Sequence, residues 1–166
     1  METSPPPGRA APSTISSSLP STPLEDPALA LLLAQSATLR SGVALVRADR
    51  FSVQWGRAGG GTYYDEINDR IIIDRNSMGD GKKLAKSLSH EIGHHKFQGA
   101  EDYSSRAAYV HRQLRNEGAA TLENALVRAE ILAAGGPDIG VSGRNSAAYE
   151  WIAGEYSAGR IDRDSA

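Results

Sequence analysis

Two histidines four residues apart, with a glutamate beside the first, stand at His90-Glu91-Ile92-Gly93-His94. On a helix this spacing puts both imidazoles on one side, a turn apart, where they can share one metal ion. Glu91 then sits beside a ligand without being one, within reach of a water that the ion activates. Zinc brings the pKa of such a water down to roughly 7, and a carboxylate can take its proton and hand it to a leaving nitrogen. The chain contains no cysteine. Disulfide scaffolds, cysteine-based zinc ribbons, iron–sulfur sites and thiol nucleophiles are therefore excluded, and any metal is held by His, Asp or Glu.

A catalytic zinc usually has three protein ligands and one open position. In the extended three-histidine pattern the glycine would fall at Phe97 and the third histidine at Ala100, so that pattern fails. The next helix offers Asn116-Glu117-Gly118-Ala119-Ala120 instead, a glutamate followed by small residues that let two helices approach closely. Glu101 and Asp102, soon after the histidine helix, are alternative donors, and Glu123 and Glu130 are also at hand. His95 points toward the stripe Leu84, Leu88 and Ile92, where it packs or makes a structural hydrogen bond rather than ligating. Two plain surface histidines would leave Glu91 unexplained. They would also leave unexplained Gly93, which weakens its helix by ~1 kcal/mol and reads as a point of close approach.

The pair of motifs His90-Glu91-x-x-His94 and Asn116-Glu117-x-x-Ala120 resembles the gluzincin group of zinc metallopeptidases. That resemblance implies His90, His94 and Glu117 as zinc ligands and Glu91 as general base. It also implies a zincin-like fold, with a substrate peptide extended along a sheet edge formed by Ile71-Ile72-Ile73. Segment 116–139 is further similar to small metallopeptidase domains of bacterial secreted toxins and effectors. For stabilising the oxyanion, Tyr149 is the first candidate, because related enzymes place such a group downstream of the glutamate helix. His111, Arg112, Arg115 and Tyr156 follow, and Asn116 and Asp138 are candidates to orient a ligand imidazole.

The elements that must position these residues are legible in outline. Residues 1–27 hold seven of the eight prolines and nine serines and threonines, too little apolar surface to offset the entropy of ordering. They read as a disordered linker, or as a type III-like export address, since no Sec signal is present. Residues 28–166 read as one metallopeptidase domain. Asp26 and Pro27 open a helix over 28–40 that stops at Gly42, and short strands follow at 43–47, 51–55, 62–65 and 70–74. Helices are expected over 82–97, 105–134 and 146–157. The fold class is α+β, a small antiparallel sheet packed on the active-site helix and the glutamate helix.

With 18 basic and 20 acidic side chains among 166 residues, the charge balance argues against a nucleic-acid binder. The longest apolar run, 28–34, is far short of the ~20 residues that span a bilayer. The expected function is a monomeric zinc endopeptidase acting on a protein or peptide, secreted by a bacterium through a Sec-independent route into a host or recipient cell. Such a role implies a secretion chaperone or an immunity protein as partner. The competing readings are a zinc-binding module without catalysis, and a zinc amidase acting on a non-protein amide such as a peptidoglycan cross-link.

Overall fold

The computed structural model describes residues 19–97 and 99–162. Helix α1 (Pro27–Gln35) starts as the capping residues dictate, with one Asp26 oxygen accepting from the Ala28 amide at 2.9 Å. The other Asp26 oxygen accepts from the Gly79 amide at 2.8 Å and so ties this start to the turn before the histidine helix. The helix does not continue to residue 40. Ser36 is extended and caps a new helix, α2 (Ala37–Ala48), through a 2.9 Å bond to the Leu39 amide. Glu130, from across the core, locks the break by accepting from the Ser36 and Thr38 hydroxyls and from the Thr38 amide. Burial opposes its ionisation, but these hydrogen bonds win and hold its pKa below the usual glutamate range.

Leu39, Val43 and Val46 are buried on α2 at i, i+4 and i+7, so residues 43–47 are helical rather than a strand. Gly42 is no stop. It lies inside the helix because a Cβ there would come within 2.6 Å of the Ile92 side chain.

Three strands remain: β1 (Ser52–Trp55), β2 (Tyr63–Asp65) and β3 (Arg70–Ile73). Their order is β1-β3-β2, with β1 parallel to β3 (Val53 opposite Ile71) and β2 antiparallel to it (Tyr64 opposite Ile71). The sheet is therefore mixed, not an antiparallel meander. Ile71, Ile72 and Ile73 are all buried, and their strand is central rather than an edge. A continuous apolar triplet is what a strand covered on both faces requires. The antiparallel edge is β2.

Helices α3 (Gly81–Lys96), α4 (Arg106–Ala133) and α5 (Ser146–Ser157) fall where periodicity and caps put them. Asp80 and Ser105 cap the first two through the Lys83 and Ala108 amides. Leu84, Leu88 and Ile92 turn into a core shared with α1, α2 and the sheet. A smaller cluster of Leu122, Leu126, Val141 and Ala153 joins α4 to α5. No single described helix is long and apolar enough to cross a membrane. Of the segment expected to be disordered, residues 1–18 lie outside the described residues. Residues 19–26 pack onto the fold: Pro23 is buried, and the Trp55 indole donates to the Pro20 carbonyl at 3.0 Å.

Candidate metal centre

Gly93 sets the approach of α3 to α4, since a Cβ on it would stand 2.4 Å from the Ala120 Cα. Two glycine-and-alanine backbones in contact bring the turn carrying His90 and His94 against the turn carrying Glu117. Across that contact His90 Nε2 lies 3.6 Å from one Glu117 oxygen, and His94 Nε2 lies 3.8 Å from the other. All three donor atoms fall within 4.8 Å of one another. Donors on a tetrahedral zinc are separated by about 3.3 Å, so small side-chain rotations close the gap. The histidine side chains are 16% and 12% exposed and Glu117 is 64% exposed, which leaves the cluster open on the glutamate side.

The protonation states suit a cation. Burial, then the neighbouring His94, depress the His90 pKa against the pull of Glu117, so its ring stays neutral with a lone pair to offer. His94 Nδ1 lies 3.0 Å from the Asn116 amide oxygen; donating there leaves Nε2 free toward Glu117. Removing this acceptor (Asn116→Ala) should weaken zinc binding about 10- to 100-fold in a chelator competition with the fold intact. Affinity unchanged within the error of the titration would remove Asn116 from the site.

Glu91, 6% exposed, lies beside the cluster rather than in it. Burial pushes its carboxyl up to about 7, and repulsion from Glu117 adds to the rise. The Tyr64 backbone amide, facing the carboxylate, works in the other direction. Between β2 and the two helices a cleft of about 400 Å³ opens, lined by His94, Asn116, Tyr64, Phe51, Phe97 and Arg112 among others. No family model matches this chain, and no curated protein or solved structure does. Its chemistry rests on the geometry of these side chains.

The other candidate residues sort clearly. Tyr149 packs against the α4–α5 cluster, its hydroxyl 3.8 Å from the point a Gly118 Cβ would occupy. Glu101 pairs with Arg112, and Asp102 accepts from Ser104, so neither joins the histidines. Arg112 also lies over the Phe97 ring, 5.3 Å from its centroid. His111 and Arg115 are exposed, and Tyr156 packs in the α4–α5 cluster. Asp138 does not orient an imidazole. Its carboxylate takes two hydrogen bonds from Arg128, 2.6 and 2.8 Å, which with the Gly140 amide hold its pKa down at about 2.

His95 is a packing histidine, as its place on the apolar stripe implies: its side chain is 6% exposed and bonded to Asp49 at 2.8 Å. The sequence reading misses Tyr64 and Asp49, which meet His95 only through tertiary packing. Tyr64 stacks on Phe51, and its phenol is pushed up to about 12 by burial and by Glu66, Asp69 and Asp49.

Proposed function

We propose that this protein is a zinc-dependent peptidase that cleaves peptide bonds in a protein substrate, with His90, His94 and Glu117 as ligands and Glu91 as general base. One observation carries the reading: three donors of the right kinds converge, and beside them stands a carboxylate whose burial raises its pKa. A purely structural site has no use for such a base. A zinc ion held there would supply Lewis acidity, polarising a carbonyl oxygen and lowering the pKa of water. Glu91 takes the proton from the attacking water and delivers it to the leaving amide nitrogen. Asn116 holds the His94 ring in the ligating tautomer. Tyr149, beside Gly118, is the group proposed to donate to the developing oxyanion. The cleft lined by Phe51, Tyr64 and Phe97 adjoins the site through His94 and Asn116 and is the proposed seat of part of the substrate chain.

The test uses the full chain loaded with one equivalent of zinc and a proteome-derived peptide library with blocked amino termini. New amino termini should appear, vanish with a chelator and return when zinc is restored. Cleavage indifferent to the chelator, or a protein that retains no zinc after dialysis against metal-free buffer, would overturn the reading.

A further inference from the structure

A strand of three residues with one neighbour is weakly held by its ladder alone. Strand β2 has that form, yet its Tyr64 amide faces the Glu91 carboxylate. Its ladder and the Asp65–Arg70 pair (2.8 Å) tie β2 to β3, and neither tie fixes it against α3. His95 supplies the side-chain hydrogen bond from α3 to this strand. One ring nitrogen, Nε2, lies 2.8 Å from the Asp49 carboxylate, and the other, Nδ1, lies 3.3 Å from the Tyr64 hydroxyl. With Nε2–H donating to Asp49, Nδ1 is left to accept from the tyrosine. The ring also meets Phe51 edge-on at 4.4 Å and Tyr64 at 5.9 Å, while Phe51 and Tyr64 stack on each other at 5.4 Å. Three elements thus close on one imidazole: α3, the turn after α2, and the edge strand. Tyr64 in turn lies against His94, 6.5 Å between ring centroids.

We infer that His95 is a positioning residue, which anchors Tyr64 through its hydroxyl so that the Tyr64 ring backs His94 and the β2 backbone stays turned toward Glu91. The catalytic consequence rests on Glu91 being the base, whereas the mechanical one does not. His95→Phe keeps the aromatic packing and loses both hydrogen bonds; Tyr64→Phe removes only the hydroxyl.

Amide hydrogen exchange of the metal-free protein, read residue by residue by NMR, tests the mechanical part. Both variants should speed exchange at the Tyr64 amide about 10-fold while amides of β1, β3 and the middle of α3 keep their wild-type rates. In the zinc-loaded protein both should lower kcat about 10-fold, a larger change than in KM, with one zinc per chain still bound. An unchanged Tyr64 amide in both variants overturns the inference. So does acceleration spread evenly over sheet and helix in His95→Phe with Tyr64→Phe silent, which would make His95 a packing residue and nothing more. A wild-type protein that cleaves nothing would sink the peptidase reading, while the exchange pattern would still decide the role of His95.

Discussion

Replacing Glu91 by glutamine should leave the zinc content at one per chain and lower cleavage of the peptide library by roughly 10³-fold, the scale of a positioned general base. The same variant should be more stable than the wild type when the metal is removed. In the folded protein the Glu91 carboxyl titrates at about 7 against an ordinary 4.5, because burial and then Glu117 disfavour its charge. Below pH 4.5 both folded and unfolded chains carry the proton, and nothing is lost. As the pH rises from there the unfolded chain releases its proton first, so stability falls until the folded group also ionises near 7, and then levels off. A difference of this size corresponds to about 3 kcal/mol at pH 8, which glutamine, having no proton to lose, does not forfeit. Urea unfolding of both proteins in chelator at pH 4 and pH 8 measures it: the curves should nearly coincide at the lower pH and separate at the higher. A glutamine variant that cuts as fast as the wild type would end the assignment of Glu91 as base. Curves equally spaced at both pH values would mean that its burial carries no such cost.

What could be read in advance, and what could not, divides along the range of the interactions. His90, Glu91 and His94 share one helix turn, and the Asp80 cap and the Leu84, Leu88 and Ile92 stripe that place them are local. Glu117 required only one further step, because the small residues Gly118, Ala119 and Ala120 that follow it suit close approach to the first helix. The sheet is different. Pairing β1 with β3 sets Ser52 opposite Arg70 across an intervening strand that ends on the far side, and no local pattern encodes that order. Residues 43–47 mislead for a related reason: Gly42 looks like a terminator until Ile92 is known to occupy the space its side chain would need. The Asp49–His95–Tyr64 contacts join residues that only the finished sheet brings together. The true interruption of the first helix depends on Glu130, which is remote in the chain. The local half of the site is legible, and its non-local support is not.

Gly93→Ala carries that distinction into a measurement. Adding one methyl group normally favours a helix by ~1 kcal/mol. Here the new Cβ would lie 2.4 Å from the Ala120 Cα and 3.0 Å from both the Ala120 carbonyl and the Glu123 Cβ. These are backbone or backbone-proximal atoms that cannot rotate away, so α3 and α4 must separate. Overpacking of this kind costs about 3 kcal/mol, enough to outweigh the gain in propensity. Ala120 lies one turn beyond Glu117, and Gly93 lies between the two histidines, so the same displacement stretches the 3.6 and 3.8 Å spans from Glu117 to the imidazoles. Metal sites tolerate only about 0.5 Å of such error, and zinc affinity should fall at least 10-fold. Gly42→Ala is the matched control. Its Cβ would come within 2.6 Å of Ile92 Cγ2, the branch methyl of a side chain on the opposite face of α3. That variant should lose stability and keep its zinc affinity. Equal affinities for the wild type and Gly93→Ala, in a protein that still folds, would mean that the distance between these two helices does not govern the metal site.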